Sequence, residues 1–201
     1  MRLTDNRYAS ERSQFELALR MINHEARTRT IRDCTGLSDD RIRKIYNSYF
    51  RDTGNGRVKR RRGKSPQQIG PFVKHPRNQL EATTLIALFC TSLLLRIDEA
   101  NRVHPCWPRP DVEYGHRVCR AFETYLLLHP RPKLNFEWAW SLLQNISRND
   151  ELFLASCAGC HSSYVQDAYA LDHKTCPSCE IAQSQGHRPV TATAMSKEGA
   201  A

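Results

Sequence analysis

A mainly α-helical protein with a small, cysteine-held ribbon near its C-terminus is what this 201-residue sequence predicts. Three observations lead there. Apolar residues recur at helical spacing in successive segments between Ser13 and Ser147. Two Cys-x-x-Cys pairs then follow, separated by fifteen residues. The positive charge is also unevenly placed. The net charge is +9, residues 1–70 hold 17 Lys and Arg against 8 Asp and Glu, and the remaining chain holds 13 of each sign. All of the excess therefore belongs to the first third, as in proteins with a nucleic-acid or membrane-surface face, although a solvated basic surface would read the same way.

The first expected region, 1–52, is a set of helix-turn-helix-like helices. Phe15, Leu17, Ala18, Leu19, Met21, Ile22 and Ala26 give an amphipathic helix over Ser13–Ala26, with Ser13 as its N-cap. A short helix from Thr28 to Cys34 comes next. Gly36 supplies the turn where the chain needs positive φ, and Ser38 caps a third helix. Asp39 and Asp40 fall in its first turn, where the helix dipole favours acids. Ile42, Ile45, Tyr46 and Tyr49 form its buried stripe, and Arg41, Arg43 and Lys44 lie on the other face. Helix, Gly turn and basic helix is an arrangement that places a helix in a DNA major groove, and it also occurs in helical hairpins that bind nothing.

A Gly- and Pro-rich linker is expected over 53–76. It contains Arg57, Lys59, Arg60, Arg61, Arg62 and Lys64, a block that repels itself and is expected not to pack without a polyanion. Beside the N-terminal helices these cations suit phosphate contact, and a solvated loop is the plainer alternative. The helical core follows over 77–150. Leu80, Leu85, Ile86, Phe89, Leu94 and Ile97 cover too wide an arc for a surface helix, so this segment should be contacted from several sides. Three prolines make His104–Pro110 a rigid connector. Helices are expected over Asp111–Leu128 and Asn135–Ser147. Trp138 and Trp140 in the second of these point to different faces.

Residues 151–180 are expected to form the ribbon, entered by a strand over Glu151–Ser156. Cys157 and Cys160, then Cys176 and Cys179, let each pair reach one ion from a tight turn. Four thiolates complete a tetrahedral shell around zinc, one ion per chain, and the fifteen-residue spacer is long enough for a β-hairpin between the two ligand turns. A thioredoxin-type pair would need a βαβ context, and a catalytic zinc would leave one position open. An iron–sulfur cluster usually has more clustered cysteines. His161 and His173 flank the site as possible substitute ligands. Cys34, Cys90 and Cys119 lie in helical patterns, where a free cysteine acts as a small apolar residue. Residues 181–201 are small and polar and are expected to be disordered.

The N-terminus has no apolar leader, and the longest apolar stretch, Leu85–Leu95, falls short of the roughly 20 residues of a membrane span. A cytoplasmic protein with no membrane partner is the expectation. No phosphate loop, nucleophile elbow or His-Glu-x-x-His motif is present, so an enzyme is not expected.

Taken together, five segments resemble one family. They are Ala18-Leu19-Arg20-Met21-Ile22; Thr35-Gly36-Leu37-Ser38 with Ile42-Arg43-Lys44-Ile45-Tyr46; Phe89-Cys90; Ala139-Trp140-Ser141-Leu142-Leu143; and Leu154-Ala155-Ser156-Cys157. In order and spacing, over roughly residues 14–180, they look like FlhC, the C subunit of the bacterial flagellar master transcription activator. The basic block, the extended N-terminus and the sequence after Cys179 depart from that pattern. The resemblance implies a helical body with a zinc ribbon held by Cys157, Cys160, Cys176 and Cys179. It also implies a hetero-oligomer with an FlhD-type partner that binds DNA upstream of flagellar operons and recruits RNA polymerase. The alternative expectation is a zinc-stabilised assembly subunit whose partner makes the DNA contacts.

Overall fold

Several helix boundaries fall where capping residues place them. The computed structural model describes residues 3–51, 58–59, 61, 63, 66–170 and 175–185. Their elements are α1 (Leu3–Asn23), α2 (Thr28–Thr35), α3 (Asp39–Tyr49), α4 (Gly70–Val73), α5 (Pro76–Thr91), β1 (Leu95–Ile97), β2 (Val103–Pro105), α6 (Val112–Leu128), α7 (Phe136–Ile146), β3 (Leu152–Ser156), β4 (Ser163–Asp167) and α8 (Pro177–Ser184). Ser38 caps α3 by accepting from the Arg41 N–H, and Asp111 caps α6 by accepting from the Tyr114 N–H. Asn135 caps α7 by accepting from the Glu137 and Trp138 N–H groups. Gly36 ends α2 in the left-handed region at φ 70°, as the sequence requires.

Four expectations need correction. α1 begins ten residues before Ser13, which is therefore not its cap. Residues 7–10 are solvent-exposed, and the pairs Arg7–Glu11 and Arg12–Glu16 lie along this stretch at 3.1 and 2.7 Å. Tyr49 is not buried; it is about half exposed and meets the Phe15 ring edge-on at 5.6 Å. The helix expected to reach Ile97 ends at Thr91, because Leu93 turns left-handed at φ 56° and the Leu94 N–H bonds back to the Phe89 carbonyl. Leu95–Ile97 then pairs antiparallel with Val103–Pro105, so the proline connector begins as a strand. Finally, α8 carries helical structure past residue 180 as far as Ser184. Residues 186–201, expected to be disordered, lie outside the described residues.

α5 is the centre of the body, as its apolar arc demands: α4, α6, α7, α8, β1 and β4 all pack against it. The main core runs through Leu17, Met21, Leu85, Phe89, Val118, Phe136 and Leu142. Trp138 meets Phe72 of α4 and Trp140 meets Tyr114 of α6, so the two tryptophans do serve different neighbours. Two buried carboxylates tie helices together. Glu81 of α5 accepts from the Tyr125 hydroxyl at 2.5 Å and the Lys133 N–H at 2.7 Å. Glu137 of α7 accepts from the Arg27 N–H at 2.7 Å and the Thr30 hydroxyl at 3.0 Å. α2 has neither a side-chain cap nor an acid in its first turn, and Glu137 supplies both from another helix. Among the described residues, no helix is long and apolar enough to cross a membrane.

The N-terminal helices pack tightly against α6 at Gly115. A Cβ added at Gly115 of α6 would fall 2.5 Å from Leu17 Cδ2 of α1 and 3.0 Å from Cys34 Cβ of α2. Leu17 and Cys34 are themselves buried, so neither has room to yield. Gly115→Ala should therefore lower the unfolding free energy by about 1–3 kcal/mol in urea denaturation. Unchanged stability would show that α1 and α2 do not approach α6 this closely.

Candidate metal centre and basic face

β3 and β4 form an antiparallel hairpin whose last pair is Ser156 with Ser163. The six residues between them make the tip, and Cys157 and Cys160 both lie in it. The tip is closed by Cys157 N–H to the Ser162 carbonyl at 3.0 Å and by His161 N–H to the Cys157 carbonyl at 2.9 Å. The second pair is built differently. Cys176 is the N-cap of α8 and Cys179 lies in the first turn, so the helix turns both thiols to one side. The hairpin was expected inside the fifteen-residue spacer. It instead straddles the first cysteine pair, and among its described residues the spacer contributes the return strand and the turn after it.

These two units bring the four sulfurs to within 4.8 Å of one another. Cys157 and Cys179 are 3.8 Å apart, and Cys160 and Cys176 are 3.6 Å apart. A tetrahedral ion with metal–sulfur bonds of about 2.3 Å separates its ligand atoms by about 3.8 Å. A disulfide would need about 2.05 Å. The donor set therefore fits a metal ion, and nothing but sulfur belongs to the group among the described residues. His161 is exposed and not part of it; His173 lies outside the described residues.

The backbone prepares the sulfurs for negative charge. The Gly159 and Cys176 N–H groups donate to Cys157 Sγ at 3.4 and 3.2 Å, and the Cys179 N–H donates to Cys176 Sγ at 3.4 Å. Burial acts to raise the Cys157 thiol, but donors from Cys160, Cys176 and Gly159 together outweigh it and hold it at about 6. Burial and its neighbours' sulfurs push Cys179 upward. Two thiolates 3.8 Å apart repel by about 4 kcal/mol at an effective dielectric of about 20, so full ionisation needs a cation at the centre. The local core of the ribbon consists of Ala155, Cys157, Tyr164, Cys176 and Cys179. The ligands themselves make up most of it.

Residues that the sequence did not single out attach this centre to the body. Gln79 donates to the Val165 carbonyl at 2.8 Å, and Thr83 Oγ1 accepts from the Val165 N–H at 3.2 Å. Asn101, left-handed at φ 59° in the β1–β2 turn, bonds Ser156 at 2.9 Å and Ser163 at 3.1 Å. It thereby clasps the base of the ligand tip from both strands. Asp98-Glu99-Ala100-Asn101 has the composition of a turn, which was the one readable signal. The remaining cysteines of the helices behave as apolar residues: burial pushes the Cys34 and Cys119 thiols up, Cys119 to about 12.

The basic residues lie at the other end of the chain. Arg41, Arg43 and Lys44 are exposed on α3, and Arg43 pairs with Asp40 at 2.9 Å. Lys59 and Arg61 are exposed on the segment after α3. Arg57, Arg60, Arg62 and Lys64 lie outside the described residues. The expectation that this block does not pack is corrected at Val58, which is half-buried against the core, and at Arg61, which pairs with Glu25 at 2.7 Å.

The chain purified under reducing conditions should hold one divalent ion, measured by elemental analysis. Cys157→Ser/Cys160→Ser should lose it. Chelation should abolish the near-UV signal of Tyr164 and leave most helical signal intact, since the main core lies outside the ribbon. Full occupancy in the double variant would contradict the four-sulfur site.

No protein-family model matches the chain, and no curated protein sequence does.

Proposed function

We propose that this chain is a zinc-containing, DNA-binding subunit of a transcription activator of the FlhC kind. In this reading it works in the cytoplasm with an FlhD-type partner, binds upstream of flagellar operons and recruits RNA polymerase. The carrying observation is α3. It follows the Gly36 turn, buries Ile42 and Ile45, and exposes Arg41, Arg43 and Lys44 together. A helix held on one side by its apolar stripe and basic on the other is suited to enter a major groove and contact phosphates. Zinc is the ion favoured by four thiolates in a closed tetrahedral shell, and a closed shell leaves no position for a substrate. Its role is to fold the ribbon, and catalysis is not part of the reading.

A second reading has its own support. Leu127 and Leu128, at the end of α6, are 82% and 58% exposed. Adjacent exposed leucines suit a protein partner, as expected of an assembly subunit whose partner contacts the DNA. One variant separates the two readings. Arg43→Ala/Lys44→Ala lies off the buried stripe and should change stability by no more than about 0.5 kcal/mol. Co-expressed with an FlhD-type subunit, it should keep its zinc, its helicity and its partner while losing promoter binding in an anisotropy assay run at several salt concentrations. Normal promoter binding with loss of the partner would establish the assembly reading in place of ours.

A further inference from the structure

We propose that Val58, Lys59 and Arg61 belong to a docked cationic arm, held in advance across α1, α2 and α3 so that it meets the phosphate backbone of duplex DNA beside α3. The inference rests on the DNA-binding reading above and deepens it.

Three anchors of different physical kinds hold the arm. Val58 is half-buried against the core, where it shares the lining of a small cavity with Ile22, Ala26, Ile31, Ile42 and Tyr46. The Tyr46 hydroxyl, from α3, donates to the Val58 carbonyl at 2.9 Å. Glu25 takes the third anchor with both carboxylate oxygens, accepting from the Lys59 N–H at 3.3 Å and pairing with Arg61 at 2.7 Å.

Glu25 occupies an unusual place for this task. It ends α1 at φ 58°, with its own N–H bonded to the Ile22 carbonyl at 2.8 Å and the Ala26 N–H bonded to the Met21 carbonyl at 3.0 Å. Glycine is the ordinary residue at such a helix end, because a side chain there is strained. The chain instead keeps a carboxylate at this corner and uses it to grip the basic segment.

Six cations within eight residues repel one another, and a free segment of that composition would lose its conformational freedom when it bound. Seating the arm beforehand removes that loss from the binding step. Two of the three anchors, the Val58 contact and the Tyr46 hydrogen bond, are uncharged, so a polyanion gives them no reason to release. Arg61 is neutralised by Glu25. Lys59 has no carboxylate partner among the described residues, so of the two described cations of the arm it is the one left for phosphate.

Removing Glu25 decides between two roles of opposite sign. If it competes with phosphate for Arg61, its loss strengthens binding; if it organises the arm, its loss weakens binding even though the chain gains positive charge. Full-length Glu25→Gly and Val58→Ser should be compared with the unaltered chain on a short mixed-sequence duplex, by fluorescence anisotropy over a salt series. Both variants should bind about tenfold more weakly at low salt, with an unchanged salt slope. Glu25→Gly should melt at or above the original temperature, because glycine fits that corner. Tighter binding by Glu25→Gly, or affinities equal to the original in both variants, would overturn the arm while leaving α3 as the DNA-contacting helix. Absence of duplex binding by the unaltered chain would overturn the DNA-binding reading itself, and the arm's ligand with it.

Discussion

Four sulfur atoms gathered within 4.8 Å cannot all carry charge unless a cation sits among them, and the ribbon of β3, β4 and α8 is organised around that constraint. Without the cysteines the ribbon's local core would be reduced to Ala155 and Tyr164. Two five-residue strands and an eight-residue helix bury too little to fold on their own account. An ion bound by the four sulfurs would supply what apolar burial does not, and would fix the hairpin tip against the N-terminus of α8. That helix end favours negative charge, which suits a pair of thiolates.

The centre reaches the rest of the molecule through α5 and through the β1–β2 turn. Gln79 and Thr83 hold β4 against α5, and Asn101 holds the base of the ligand tip. The N-terminal unit joins the same body at a different place, where Gly115 lets α1 and α2 close on α6 and Arg20 and His24 pair with Glu123. The Arg20 hydrogen bonds, with help from His24 and against the opposing effect of burial, hold the Glu123 carboxyl at about 2. The metal centre and the basic face are thus built on separate contacts of one helical body.

Local chemistry was legible in the sequence; longer-range geometry was not. Ser38, Asp111, Asn135 and Gly36 mark helix ends through bonds made within a few residues, so their positions could be read directly. The ligand cysteines were equally plain, because Cys-x-x-Cys spacing is itself the geometric requirement. The start of α1 escaped notice because an apolar stripe reports burial, and residues 7–10 are exposed, with charge pairs along the helix. Leu93-Leu94-Leu95 reads as a continuation of α5, since a short apolar run does not distinguish helix from strand. Only the left-handed turn at Leu93 separates them. Spacing also left open which strands flank the first cysteine pair. Composition alone likewise hid the docking of Val58, Lys59 and Arg61, because Tyr46, which bonds the first, and Glu25, which bonds the other two, lie on other elements.

The most direct test of the closed four-sulfur centre is X-ray absorption at the zinc edge of the protein purified under reducing conditions. The account predicts four sulfur ligands at about 2.3 Å and no lighter atom in the first shell. A shell containing nitrogen or oxygen, or reduced and folded protein that binds no zinc, would contradict it.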